Sequence, residues 1–194
     1  CMDGRTLPVE LVDGGRTARI GIMKCLAVLL ITLVLVPLIA GLYGALHDQL
    51  SFTIAPEYFT RFKYDQFGFE PAWFGGHRPT VAVIGFLATW WVGLLMALFI
   101  APLGLMYKDP VRMRKEIIRA TGITLGIAIL SGLFGLAYGW SLDSVPNGWY
   151  LPEGLVDQQA FIAVGGLHNF GYAGGVLGLC VAVSVMVWRK QRMA

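Results

Sequence analysis

Charge is scarce in this chain. Lysine and arginine number 15 and aspartate and glutamate 12, together 14% of 194 residues, while 56% of residues are apolar and the mean hydropathy is positive. That balance excludes an ordinary water-soluble domain, in which about a quarter of residues carry charge. The scarcity is also uneven, because charge is missing altogether from residues 25–47, 79–107, 120–142 and 158–188. Each gap exceeds the ~20 residues that a helix rising ~1.5 Å per residue needs to cross ~30 Å of hydrocarbon, where one charge would cost about 2.5–3.5 kcal/mol. The alternating ~10-residue segments of an outer-membrane barrel are missing too. The pattern predicts an all-α membrane protein, with four transmembrane helices at about 25–46, 80–106, 118–140 and 160–188 in an antiparallel bundle.

Other absences narrow the function. There is no HExxH, no Walker loop, no GxGxxG after a strand and no indicated Ser/His/Asp arrangement, so no catalytic residue is assigned and the protein reads as a non-enzyme. The four gaps hold no carboxylate, which counts against ion-coupled transport. Cysteine is limited to Cys1, Cys25 and Cys180, with no CxxC and no zinc spacing. All three fall toward one face, so no disulfide is expected.

The basic residues set an orientation. Arg5, Arg16, Arg19 and Lys24 precede the first helix, Lys108, Arg112, Arg114, Lys115 and Arg119 separate the second from the third, and Arg189, Lys190 and Arg192 follow the fourth. Only Arg61, Lys63 and Arg78 lie on the other side. The excess places both termini in the cytoplasm of a bacterial inner membrane, with two loops outside. The basic residues then form a layer suited to anionic lipid headgroups, and no nucleic-acid partner is expected.

Residues 1–22, rich in Gly, Asp and Arg, read as a cytoplasmic tail ahead of a candidate natural start at Met23, and residues 23–194 read as one transmembrane domain. The apolar run after Lys24 is about twenty residues, longer than the ~7–15 of a signal peptide, which predicts an uncleaved first helix. Pro37 should bend that helix, and Ala40, Gly41, Gly44 and Ala45 should let another backbone approach before His47 and Asp48 leave the membrane.

The outer loop of about 48–79 is aromatic. Leu50–Ile54 is weakly strand-like, and Pro56-Glu57 suits a helix start. Tyr58, Phe59, Phe62 and Phe67 then approximate one helical face, either lying on the outer membrane surface or closing the outer end of the bundle as a lid. Glu57, Tyr58, Phe59, Phe62 and Gln66 are the candidate contacts for a partner. Trp90 and Trp91 should pack on neighbours or line a pocket, Trp149 and Tyr150 should form an interfacial belt, and Asp157 should cap the last helix. Gly122/Gly126 and Gly135/Gly139 form two GxxxG pairs suited to helix packing.

The polar spot inside an apolar segment is His168, ~10 Å along the last helix from Phe161. An ionisable residue at that depth faces the bundle and is a functional hypothesis by default. Asn169 and Tyr172 complete the candidate polar site, with Tyr172 at helical spacing from His168 and able to pair with it. The chain has three histidines, His47, His77 and His168, all toward the outer face. If the loops fold inward, the three could hold zinc or copper, and two could hold a haem. The bland alternative is hydrogen bonding between helices with no cofactor.

Three segments carry a resemblance: Leu46–Gly68, Asn147–Pro152 and Leu167–Gly175. The chain resembles, over roughly Met23 to Arg192, a family of uncharacterised bacterial four-helix inner-membrane proteins, often labelled hypothetical or signal-peptide-containing. It departs from that pattern at Ala55, where the family has serine, which removes an N-cap from the following helix. The resemblance implies an architecture and no mechanism. The leading expectation is a non-enzymatic binding or accessory protein with an outer-face site near His168, in contact with lipid and with a membrane-protein partner or a second copy. A metal or haem redox protein using His47, His77 and His168 is the alternative, and a small permease the second.

Overall fold

The computed structural model describes residues 9–193, with side chains described from Arg19 to Met193. About 85% of the chain is helical, and no strand occurs among the described residues. In chain order the helices are α1 (Val9–Ile54), the short α2 (Pro56–Tyr58) and α3 (Tyr64–Phe67) joined by a π-turn at Phe59–Lys63, then α4 (His77–Gly104), α5 (Pro110–Trp140) and α6 (Gln158–Gln191). Of these, α1, α4, α5 and α6 are long and apolar enough to cross a membrane.

Glycine positions decide how the long helices pair. Gly44 of α1 lies against the Gly85 carbonyl and Thr89 of α4, while Gly93 of α4 lies against Ala40 and Val36, so the two helices run in opposite directions. Thr89 Oγ1 donates to Ala40 O across this seam at 2.8 Å. In the same way Gly139 and Gly135 of α5 meet Ile162–Ala163 and Gly166 of α6, and Gly178 meets Thr124. Backbones in such contact gain dispersion that a side chain of any size would prevent, and in lipid this counts for more than apolar burial. Contact is dense within α1/α4 and within α5/α6 and sparse between the two pairs. The molecule is therefore two tight helical pairs laid loosely together.

Apolar cores close the two ends of the seam. One gathers Tyr58, Phe59, Val81, Ile84, Phe161 and Val164. The other gathers Cys25, Ile100, Met113, Ile117 and Met186. At the second end Tyr107 donates to Met186 O at 2.7 Å, and the buried Glu116 carboxylate accepts from Arg119 and from Arg189 Nε, the latter at 3.1 Å.

Several expectations change. α1 overruns its expected end near residue 46 and continues to Ile54, so Leu50–Ile54 is helix and not strand-like, and His47 and Asp48 stay inside the helix. Nothing breaks it before Pro56, and Ser51, at 0% exposure, is packed rather than looped out. Residues 9–22, read as an irregular tail, continue the same helix, while residues 1–8, Cys1 included, lie outside the described residues. α5 starts at Pro110, capped by Asp109, whose carboxylate accepts the Arg112 N–H at 2.9 Å, so Glu116 belongs to the helix and not to a loop. Trp90 and Trp91, 39% and 48% exposed, face outward instead of into a pocket. The Gly135/Gly139 pair packs as expected, but Gly122 and Gly126 have no neighbour within 4 Å, because they lie on the outer side of α5. Cys25 is buried and Cys180 exposed, both unpaired, and Asp157 caps α6 by accepting the Ala160 N–H at 2.9 Å.

Candidate functional site

The loose seam encloses a cavity of about 110 Å³. Its lining runs from Val36 to Asp48 on α1, roughly 18 Å at ~1.5 Å per residue, so the space is long and narrow. α5 contributes Thr121 to Ala128, and α6 contributes Leu167 to Gly175. Most of the wall is apolar, and the ionisable side chains among the lining residues (Tyr43, His47, Asp48, Lys63, His168 and Tyr172) collect at one end.

That end is built on a carboxylate. Asp48 is 4% exposed and His168 is 7% exposed. His168 Nδ1 lies 2.9 Å from Val164 O, and a carbonyl has no hydrogen to give, so Nδ1 carries the proton and donates. The other ring nitrogen, Nε2, faces Asp48 Oδ1 at 3.1 Å. A neutral imidazole would place a lone pair against the lone pairs of a carboxylate there. The contact therefore requires a cation between the two atoms, either a proton that leaves the pair neutral overall or a metal ion. His47 Nδ1 meets the same carboxylate oxygen at 3.2 Å, and the His47 and His168 rings stand edge to face with centroids 4.9 Å apart.

A roof of aromatic residues covers the cluster. Tyr58 stacks on His168 with ring centroids 4.9 Å apart and on Phe161 at 5.1 Å. Burial and the Asp48 carboxylate push the Tyr58 phenol well above its usual range. Lys63 lies beneath this roof, its ammonium donating to Gln66 Oε1 at 3.0 Å and resting 5.4 Å from the Phe62 ring centroid. Burial pulls its pKa below the ordinary lysine value, and Asp48 offsets part of that effect. Of the two placements open to the aromatic segment, the structure shows the lid packed on the helix ends. The π-turn shifts the buried face to Tyr58, Phe59, Lys63 and Tyr64, leaving Phe62 and Phe67 half-buried. Such turns recur at functional sites. Ala55, as expected, provides no side-chain cap.

The lid is tied down through Glu57, whose carboxylate accepts the N–H groups of Val156 and Asp157 at 3.0 and 2.9 Å. Those two bonds, Asp157 first, hold the Glu57 carboxyl below the usual carboxylate range. Trp149 lies over Gly165, so that glycine accommodates a ring and not a neighbouring helix. Tyr58 and Phe59 are thus buried within the chain and Glu57 is engaged by the α6 start, while Glu57 and Phe62 remain partly exposed and Gln66 exposed.

The three histidines do not converge as a set. His47 and His168 meet, but His77 is exposed and instead faces Tyr64, its Nδ1 3.1 Å from the phenol oxygen. Asp48 stands where a third histidine was expected. Asn169 is exposed, one residue and ~100° around the helix from His168. Tyr172 lines the cavity but is 41% exposed and, among the described contacts, makes no hydrogen bond to His168. Asp48 and Lys63 belong to the segment expected as the outer loop, so spacing within the charge-free runs does not reveal either. The available signal for Asp48 was the lack of any helix breaker between Gly44 and Ala55. Asp48 and Glu116 lie inside two of the long helices, so the carboxylates whose absence counted against ion-coupled transport are present there. Two rings this close, with a carboxylate between them, leave the space of a single ion and do not support a haem.

At the opposite end of the cavity, the Thr121 hydroxyl is buried without a hydrogen-bond partner among the described residues. Such a group calls for an explanation, since leaving it unpaired costs about 1–3 kcal/mol. Comparison of the chain with protein-family models, with curated protein sequences and with solved structures finds no match in any of the three.

Proposed function

We propose that the protein is a non-enzymatic, multi-pass protein of a bacterial inner membrane that binds a slender amphiphile in the seam between its two helical pairs. On this reading the long helices form an antiparallel bundle, both termini face the cytoplasm, and the chain is a member of the uncharacterised four-helix family it resembles. The observation that carries the proposal is the polarity gradient of the cavity, whose ionisable groups sit at one end of an otherwise apolar channel. Spread along about 18 Å of α1, a volume of about 110 Å³ suits a narrow chain rather than a globular ligand. The amphiphile's head lies among His47, Asp48, Lys63 and His168. Its tail runs toward Thr121, which can donate to an acceptor on the chain.

Entry is lateral. Tyr43 and Tyr172 line the cavity and are both partly exposed, on α1 and α6, two helices that touch little. A ligand dissolved in the bilayer would pass between them. The test is mass spectrometry of organic extracts from the detergent-purified protein. A stoichiometric amphiphile is expected from the wild type and from Leu130→Phe, which lies outside the cavity. It should be lost from Ala128→Phe, which fills the cavity. Equal recovery from Ala128→Phe would refute the proposal.

A further inference from the structure

The cation demanded between Asp48 and His168 can be identified further. We propose that His47 Nδ1, the Asp48 carboxylate and His168 Nε2 form a binding site for one divalent transition-metal ion of the zinc class, with its remaining coordination position open to the cavity. Three ligand atoms, one from each residue, lie within 4.8 Å of one another. The two nitrogen-to-oxygen separations are 3.2 and 3.1 Å. A tetrahedral ion with bonds of about 2.0–2.2 Å sets its ligands roughly 3.3–3.6 Å apart, so the two nitrogen-to-oxygen edges need only a few tenths of an ångström, while the two nitrogens, within 4.8 Å of each other, draw together as the ion enters.

The ligand types fit as well. Two imidazoles and one carboxylate suit zinc and its neighbours, and three protein ligands leave one position for a water or a substrate group. A ligating histidine almost always donates its second nitrogen to a carbonyl or carboxylate, which fixes the tautomer. His168 does this through Val164 O at 2.9 Å. The ring is also held between the His47 edge and the Tyr58 face, each with centroids at 4.9 Å, so its lone pair is aimed before any ion arrives. With a proton on the Asp48–His168 contact, His47 donates from Nδ1–H to the same carboxylate oxygen; a metal ion draws instead on the lone pairs of all three groups, which converge on one point.

Charge points to what the open position receives. One carboxylate leaves a divalent ion with a net positive charge in a largely apolar chamber that also holds Lys63. An anionic oxygen, hydroxide or a ligand carboxylate or phosphate, is the complement. The ion would also join α1 to α6 and so bolt the two helical pairs together at the lid end.

The inference stands apart from the amphiphile reading, because metal uptake can be measured on delipidated protein. The full-length chain, purified in detergent and stripped with a chelator, is titrated with Co²⁺ and then Zn²⁺. Expected are one ion per chain, visible d–d bands of tetrahedral Co²⁺ without sulfur-to-metal charge transfer, and displacement of those bands by Zn²⁺. Asp48→Asn and His47→Ala, with helicity checked by circular dichroism, should each weaken binding at least tenfold, and His77→Ala should bind as wild type. Wild-type protein that takes up no ion overturns the proposal, and so do folded Asp48→Asn or His47→Ala variants that bind as tightly as wild type.

Discussion

Replacing Gly85 with alanine tests the packing on which the cavity depends. A Cβ at Gly85 would fall on the backbone of Gly44, closer than any real contact allows, and no flexible side chain is there to yield. α1 and α4 must separate. Overpacking of this kind costs about 1–3 kcal/mol. The separation also stretches the 2.8 Å bond from Thr89 to Ala40, worth about 0.6 kcal/mol and at most ~1.7 kcal/mol in a membrane protein. The expected loss is therefore about 2–4 kcal/mol, roughly 30- to 1000-fold in the unfolding equilibrium. Gly122→Ala is the matched control, because a Cβ there meets nothing within 4 Å and alanine favours helix by up to ~1 kcal/mol. Unfolding followed by helicity on titration of mixed micelles with SDS gives both values. If Gly85→Ala and Gly122→Ala unfold at the same SDS fraction, the close approach of α1 to α4 is not what holds the pair.

Three further outcomes are expected. In chelator-treated protein, His168→Ala leaves the Asp48 carboxylate with His47 alone and should destabilise by at most about 3–5 kcal/mol, whereas adding Asp48→Leu should restore at least ~1 kcal/mol; additive losses in the same SDS titration would argue against a direct pair. The tie from Glu57 to Val156 and Asp157 depends on a carboxyl held below its usual range, so its contribution is full at neutral pH and is lost as pH falls through that lowered value. The protection factors of the Val156 and Asp157 amides, corrected for intrinsic exchange at each pH, should fall there, and Glu57→Gln should show low protection at every pH; wild-type protection that does not change with pH would count against the tie. Trp90 and Trp91, facing outward from α4, should be quenched by brominated lipid in proteoliposomes, and undiminished emission would remove them from the acyl region.

Much of the fold is legible in the sequence because transfer of charge into hydrocarbon is expensive, and the gaps in charge mark α4, α5 and α6 to within a few residues at most ends. The same rule misplaces the end of α1. It treats a charge as an exit from the bundle, yet Asp48 is buried against His168, 120 residues away, and the helix simply continues. His168 stands out alone in an uncharged run, so it could be singled out from composition. Its partner could not, because a single sequence does not show which loop residue folds back over which helix. Asn169 was paired with His168 by adjacency in sequence, but successive helical residues point ~100° apart. The aromatic spacing of Tyr58 to Phe67 correctly signals an amphipathic segment. It gives a buried face off by one position because the π-turn adds a residue that a 3.6-residue period does not anticipate.

The division into two helical pairs also has a consequence for biosynthesis. About 87 residues separate the end of α4 from the end of α6, which at ~5–20 residues per second is roughly 4–17 s of translation. For the first 64 of those residues, roughly 3–13 s, the nascent chain carries Asp48 before His168 has been made. A truncated product ending before residue 168 would keep Asp48 with His47 as its sole imidazole neighbour and would lack the α5/α6 pair that covers it.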